Sequence, residues 1–223
     1  MALILQLETA TTCCSVALAL NGKCIALKER NEPNIHAASI TLFIEEVMRS
    51  AGKAMTDLDA VCISKGPGSY TGLRIGVSTA KGLCYALDIP LISVTTLQAM
   101  AASLAGQYPG SLLCPMIDAR RMEVYTAVYT PQLAEIEPVQ AKVLDEHSFD
   151  SLLATNKLVF FGDGAPKYQQ VLHHEHATFL DDFTNSAAHL SALAYEKFQH
   201  QEFEDIAYFE PYYLKEFLAT VSR

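Results

Sequence analysis

The strongest chemical signal in this sequence is a glycine-rich stretch, Gly66-Pro67-Gly68-Ser69-Tyr70-Thr71-Gly72-Leu73-Arg74-Ile75-Gly76. It lies between a β-branched apolar run at 60–64 and a proline-free segment at 73–87, so it predicts a tight turn from a buried strand into a helix. Free backbone amides and the dipole at the start of a helix favour an anion. The candidate anion or nucleotide ligands at this turn are Gly66, Gly68, Ser69 and Thr71.

The same glycines have a second interpretation, in which they serve close packing. The spacing fits neither standard nucleotide signature, because three residues separate Gly68 from Gly72 and no Gly-Lys-Ser/Thr follows. Gly72, Gly76, Thr79 and Leu83 share one helix face. A glycine inside a helix costs roughly 1 kcal/mol relative to alanine, which the close approach of another backbone would offset. This smooth face is a candidate contact surface, either within the fold or with another chain.

Two other groups of polar side chains could bind ligands. Asp118 ends a predicted strand, where sites of α/β proteins often lie; an ion pair with Arg120 or Arg121 is the alternative. His173-His174-Glu175-His176 is the densest group of metal-ligating residues, but only His173 and His176 would share a helix face. A solvated helix end accounts better for this group. The sequence therefore predicts no metal site and no catalytic residue.

Hydrophobic periodicity predicts the elements that position these residues. Strands at 2–8, 14–20 and 23–29, with the hairpin signal Asn21-Gly22, precede a helix at about 35–51. The strand at 60–64, the helix after the glycine turn and a strand at 90–94 follow. Thr95-Thr96-Leu97-Gln98 resembles a capping box that starts a third helix, through about residue 105. This order predicts a mixed sheet flanked by helices.

A boundary at 107–111 separates a second half of the chain. We predict an N-terminal lobe at 1–106 and a C-terminal lobe at 107–223, whose final aromatic segment is a candidate to pack back on the first lobe. The second lobe is predicted to contain strands at 112–117, 122–130, 141–144 and 157–161, and helices near 147–155, 165–174 and 185–201.

Composition limits the classes of function. Of the 223 residues, 50% are hydrophobic and 18% are charged, which is typical of a globular protein. The 16 basic and 25 acidic residues give a net charge of −9, so the chain would not bind a nucleic-acid backbone tightly unaided. The six cysteines form no Cys-x-x-Cys pair, and neither a signal peptide nor a membrane span is recognisable. We expect a reduced cytoplasmic protein.

Four stretches, in order along the chain, resemble the bacterial TsaB (YeaZ) family. They are Leu7-Glu8-Thr9-Ala10, the glycine-rich stretch, Ile117-Asp118-Ala119-Arg120-Arg121-Met122-Glu123-Val124-Tyr125, and Glu210-Pro211-Tyr212-Tyr213-Leu214-Lys215. The resemblance implies a two-lobed α/β fold of the actin, sugar-kinase and Hsp70 (ASKHA) class, with a mixed sheet flanked by helices in each lobe. It also implies a role in forming N6-threonylcarbamoyladenosine (t6A) next to the anticodon of tRNA.

In this family the implied role is that of a scaffold. TsaB is similar to the catalytic subunit TsaD, but it binds and activates TsaD without catalysing the threonylcarbamoyl transfer, and the ATPase TsaE completes the assembly. We therefore expect TsaD and TsaE as partners, a homodimer when the chain is alone, and tRNA contact only through the complex. No cofactor is expected to be required, and an interface nucleotide is left open. No membrane contact is expected.

At two positions of the family pattern, this sequence agrees with a non-catalytic role. TsaD enzymes hold a metal with two histidines one helical turn apart; here His36 is followed four residues later by Ile40, which cannot ligate a metal. ATP-using members of the class carry Asp-Gly after the first strand, where this sequence has Glu8-Thr9. The alternative is an enzyme, either an ASKHA-type ATPase or phosphotransferase or a metallopeptidase-like protein.

The predicted contact surface for TsaD consists of one face on each of the first two helices, in a four-helix interface. Gly76→Leu is expected to block that contact. The predicted contact residues are His36, Ile40, Phe43, Val47, Gly72, Gly76, Thr79 and Leu83.

Overall fold

The computed structural model describes residues 1–215 and contains two five-stranded mixed sheets flanked by helices. The end of the predicted second lobe, 216–223, lies outside the described residues. Within residues 1–215, no helix is both long enough and apolar enough to cross a bilayer.

The first sheet has the strand order β3-β2-β1-β4-β5. Strands β1, β2 and β3 are antiparallel neighbours, whereas β1, β4 and β5 run parallel, which makes the sheet mixed. Its strands are β1 (Leu3–Glu8), β2 (Cys13–Leu20), β3 (Lys23–Asn31), β4 (Ala60–Ser64) and β5 (Leu91–Val94). The helices inserted among them are α1 (His36–Ser50), a 3₁₀ turn (Met55–Asp57), α2 (Tyr70–Leu87) and α3 (Thr96–Ser103).

The second sheet repeats the topology of the first. Its order, β10-β9-β6-β7-β8, is the order of the first sheet read in the opposite direction, with β6 to β10 in place of β1 to β5. Its strands are β6 (Ser111–Asp118), β7 (Glu123–Tyr129), β8 (Glu135–Val143), β9 (Lys157–Phe161) and β10 (Ala177–Phe179), with short helices α4 (Asp150–Leu153) and α5 (Ala165–Gln169). This repeat of one topology confirms the predicted ASKHA fold class.

The two faces of the first sheet are covered by different parts of the chain. Alternation along β1 directs Leu3, Leu5 and Leu7 toward the cluster that contains the apolar stripes of α1 and α2. Ile4 belongs to the cluster on the opposite face, which includes Leu190 from the 3₁₀ turn Ala187–Leu190 and residues of α6 (Ser191–Gln199). The chain therefore returns to the first sheet after completing the second.

A segment after α6 extends this return; we call residues 204–215 the C-terminal strap. Its Glu204 forms an isolated bridge with Leu91, and Phe209 is buried in the α1–α2 cluster. The Tyr212 amide donates to the Lys65 carbonyl at 2.8 Å, and Lys215 pairs with Glu123 of the second sheet. The strap thus contacts both lobes.

Some predicted elements differ from the structure. The helix predicted at 165–174 ends at Gln169, so the histidine group at 173–176 lies in a loop rather than at a helix end. No capping box forms at α3, since the Thr95 side chain makes no cap hydrogen bond and lies beside the Tyr129 hydroxyl of the second lobe. Strand β10 was not predicted from the sequence.

Candidate functional site

The glycine-rich turn is tied to the loop that follows β1. Ser69 is the N-cap of α2, and its hydroxyl accepts from the Gly72 amide at 3.3 Å. The Ser69 amide itself donates to the Ala10 carbonyl at 2.7 Å. Two of the amides that an anion would need are therefore already paired within the chain, while Thr71 lies exposed in the first turn.

Glycine is required in this turn because the β1–β2 loop approaches so closely. A Cβ at Gly68 would lie 2.4 Å from the Ala10 carbonyl oxygen, and one at Gly72 would lie 2.1 Å from the Thr9 carbonyl oxygen. At Gly66, where φ is 113°, it would lie 2.8 Å from the Tyr212 carbonyl oxygen. The sequence allowed these glycines to pack either within the fold or against another chain. In the structure they pack within the fold.

Glu8 lies buried at the end of β1, where its carboxylate forms hydrogen bonds with neighbouring groups of the chain. Its Oε1 accepts from the Ala10 amide at 2.6 Å, and it also interacts with the Ser64 hydroxyl, which is 2.7 Å from the Thr96 hydroxyl. Burial raises the Glu8 pKa to about 7, against the opposing effect of these hydrogen bonds. The carboxylate thus fixes its own loop and is turned away from solvent.

Asp118 pairs with a residue that the sequence did not indicate. Lys167 of α5 forms an ion pair with Asp118, and its ammonium also donates to the carbonyls of Arg121 at 2.9 Å and Glu123 at 2.6 Å. The predicted ion pair with Arg120 or Arg121 is wrong, because Asp118 has no ion pair with either of them and contacts Arg120 through its backbone amide, which donates to Asp118 Oδ1 at 2.9 Å. The ion pair between Asp118 and Lys167 thus holds the β6–β7 turn, although the two residues are 49 positions apart in sequence.

The histidines do not assemble a metal centre in the described part of the chain. His36 is buried at the start of α1, near the backbone of Thr11 and Cys13, and desolvation lowers its pKa. His176 is bound through Nδ1 to the Leu153 carbonyl at 2.9 Å. Across residues 1–215, no three His, Cys, Asp or Glu side chains gather as potential ligands.

Most of the predicted contact residues lie inside the first lobe. The side chains of His36, Ile40, Phe43 and Val47 are buried on the inner face of α1. Gly72 and Gly76 are buried on α2, while Thr79 and Leu83 keep partial exposure. A Cβ at Gly76 would lie 2.2 Å from Thr9 Oγ1. Gly76→Leu would therefore disturb the fold itself and would not report on a partner. A role of these residues in partner contact stays a prediction.

The outward sides of α1 and α2 form one exposed surface, since both helices pack on the same face of the first sheet. On it, Leu42 is 60% and Tyr85 84% exposed. Gly82 also lies on this surface, and a Cβ there would have no atom within 4 Å. We call these three residues and their neighbours the α1–α2 outer face. One feature of the sequence indicates this outer face, namely apolar residues that lie outside the buried stripe of each helix.

The fold and this site define a class of protein. It is a two-lobed ASKHA-type protein whose glycine-rich turn packs against its own first-strand loop, with an exposed helix pair on the first lobe.

A family model described as TsaD, tRNA N6-adenosine threonylcarbamoyltransferase, matches residues 33–221. The chain belongs to this family, and it is similar to proteins named TsaB and YeaZ.

The relatives named TsaB match the chain over part of their length. The tRNA threonylcarbamoyladenosine biosynthesis protein TsaB of Escherichia coli is 38% identical over 126 residues, which is 56% of this chain and 54% of that protein. TsaB of Bacillus subtilis is 35% identical over 136 residues, 61% of this chain and 58% of that protein. The chain thus spans about half the length of the curated relatives it matches.

A solved structure extends the similarity to almost the whole fold. The crystal structure of a Pseudomonas aeruginosa protein, described as uncharacterized with similarity to peptidase YeaZ, superposes with a TM-score of 0.85 at 25% identity. The superposition covers 96% of this chain and 100% of that one.

Proposed function

We propose that this chain is a non-catalytic subunit of the t6A-forming machinery, which binds and activates TsaD for threonylcarbamoyl transfer to the adenosine next to the tRNA anticodon. Membership of the family supports this role, as do relatives named tRNA threonylcarbamoyladenosine biosynthesis protein. TsaE is the third component of the proposed assembly.

The α1–α2 outer face is the observation that carries the proposal. Exposed Leu42 and Tyr85 supply apolar and aromatic area of the kind that anchors protein interfaces. Gly82, in the second half of α2, has no side chain and faces open space, so a partner helix could approach closely there. Because TsaD belongs to the same family, its equivalent helices would present a matching pair. A second copy of this chain would dock in the same way when TsaD is absent.

The enzyme alternative receives less support from the residues. Glu8 takes the place of the aspartate that ATP-using relatives carry, and it is buried and bound to its own loop. One helical turn after His36, the position of a second metal ligand is occupied by Ile40, which is buried in the core. A nucleotide at an interface is compatible with the proposal, because the glycine-rich turn leads directly into α2, which is one of the two helices of the outer face.

The proposal is tested by Gly82→Leu in an assembly assay with TsaD, by isothermal titration calorimetry or analytical ultracentrifugation. Leucine has a higher helix propensity than glycine and meets open space here, so the free chain is expected to stay folded. A leucine side chain at position 82 is expected to weaken TsaD binding at least tenfold, and activity of the reconstituted t6A system should fall with it.

Ala192→Leu is the matched control, because it adds a leucine to an exposed position of α6, on the opposite side of the first sheet. It should bind TsaD as tightly as the unmodified chain does. Equal TsaD affinity for Gly82→Leu and Ala192→Leu would refute the outer face as the docking surface. A t6A system that ran equally well without this chain would refute the function itself.

A further inference from the structure

The turn between β6 and β7 presents two consecutive arginines in an unfavourable backbone conformation. Arg120 has a φ of 70° and Arg121 a φ of 52°, in the left-handed region that glycine and asparagine favour. The turn is closed by the Ala119 amide, which donates to the Glu123 carbonyl at 3.1 Å. Left-handed residues other than glycine persist where the surroundings impose them, and they concentrate at functional sites.

A frame of polar contacts imposes this conformation. Lys167 lies beneath the turn, donates to the carbonyls of Arg121 and Glu123, and pairs with Asp118. The Asp118 amide in turn donates to Asp163 Oδ1 at 2.9 Å. The turn is therefore fixed by groups from β6, from α5 and from the loop before α5.

The frame leaves both arginine side chains free. In the part of the chain that the structure describes, neither guanidinium has a carboxylate within ion-pair distance. The neighbouring acids are already used, since Asp118 pairs with Lys167 and Glu123 pairs with Lys215. Both arginines are exposed. The turn thus displays two unpaired cations on a chain whose net charge is −9.

An aromatic groove begins two residues beyond Glu123, between the second lobe and the start of α2. Lys215 lies over the Tyr125 ring at 5.8 Å, and the Tyr70 and Tyr213 rings are 4.8 Å apart. Arg74 lies over the Tyr70 ring at 5.5 Å. Tyr212 also lines the groove. Cations and aromatic faces thus alternate along one surface that crosses both lobes.

We propose that the arginine turn and this tyrosine groove together contact a single-stranded segment of tRNA. Arginine guanidinium groups would bind the phosphates, and a tyrosine face would stack on an unpaired base, as is common in single-strand recognition. The inference rests on the proposed function, which brings tRNA to the complex. An acidic protein segment would use the arginines, but it gives no role to the neighbouring tyrosines.

The test is tRNA binding by the assembled complex of this chain with TsaD, measured by fluorescence anisotropy of an in vitro transcribed tRNA between 50 and 200 mM salt. The variant R120N/R121G replaces both arginines with residues that favour left-handed backbone, so it should fold at least as well. Loss of two phosphate contacts is expected to lower the slope of log K against log salt by roughly 1.4–1.8, and to weaken binding roughly tenfold or more near 0.1 M salt.

Two further variants separate charge from structure. R120K/R121K keeps both charges and should keep the salt slope. K23Q/K157Q removes two exposed positive charges elsewhere and should leave the slope unchanged. Assembly with TsaD and TsaE is measured for every variant in the same preparations.

Three outcomes would overturn the RNA contact. An R120N/R121G complex with unchanged tRNA affinity and salt slope refutes it and leaves the proposed function standing. Loss of TsaE assembly, with unchanged tRNA affinity of the complex with TsaD, would instead assign the turn to an acidic protein partner. An unmodified chain that fails to assemble with TsaD refutes the proposed function, and the RNA contact with it.

Discussion

Two glycines of α2 offer the sharpest test of how this fold is packed, because the same substitution at each should have opposite effects. Gly72 faces inward, where a Cβ would lie 2.1 Å from the Thr9 carbonyl oxygen. Gly82 faces outward, where a Cβ would have no atom within 4 Å. We therefore compare Gly72→Ala with Gly82→Ala, a single methyl group added at two positions of one helix.

The magnitudes follow from these distances. Alanine at Gly82 is expected to raise the free energy of unfolding by about 1 kcal/mol, since only helix propensity changes. At Gly72 the obstructing atom belongs to the backbone of a buried loop, which cannot rotate away. Overpacking of this kind typically costs about 1–3 kcal/mol, and we expect Gly72→Ala to lie near 3. For a chain of this size, the melting temperature should rise by roughly 2–4 °C for Gly82→Ala and fall by roughly 6–12 °C for Gly72→Ala.

Differential scanning calorimetry at one protein concentration measures both effects, and a fixed concentration is needed because a homodimer would shift the melting temperature by mass action. If Gly72→Ala melted within a degree or two of the unmodified chain, close packing would not be the reason for glycine at this position. The anion-binding interpretation of the turn would then regain support.

The remaining predictions concern buried ionisable groups. Because the Glu8 pKa is raised from 4.5 to about 7, the unfolded chain releases this proton first, and stability falls as pH rises through that range. As pH rises from 4.5 to 8, the free energy of unfolding of Glu8→Gln should increase relative to that of the unmodified chain by up to about 3 kcal/mol, measured by urea unfolding. A difference that did not change with pH would contradict this. Of the six cysteines, only Cys24 is exposed, so iodoacetamide should alkylate one thiol in the native protein and all six in urea. A second thiol labelled at the same rate would contradict the burial of the others.

The fold was largely predictable because its local signals are strong. Asn21-Gly22 indicated a hairpin, and both residues adopt the positive φ that such a turn requires, at 50° and 77°. β10, by contrast, has three residues and follows a histidine-rich loop, so it offers almost no periodicity. Most of β8 escaped prediction because it is an edge strand rich in polar residues, and only its last part was proposed.

The candidate site was less predictable because its decisive contacts are distant in sequence. Asp118 is bound by Lys167, and Thr95 lies beside Tyr129; no local pattern reveals either pairing. The glycine spacing did indicate close approach of another backbone, but periodicity could not say which one. The apolar stripe of α1 was read correctly as one face. Periodicity could not tell whether that face meets the core or a partner.

The return of the chain to the first sheet has a consequence for synthesis on the ribosome. One apolar face of that sheet, including Ile4, Cys62 and Ile92, is covered by Leu190 and Ala194, which are translated about a hundred residues later. At elongation rates of about 5–20 residues per second, this surface would stay bare for roughly 5–20 seconds. Phe209 of the strap arrives later still to complete the opposite cluster. We therefore expect the nascent N-terminal half to bind chaperones, and a fragment ending near residue 106 to aggregate when expressed alone.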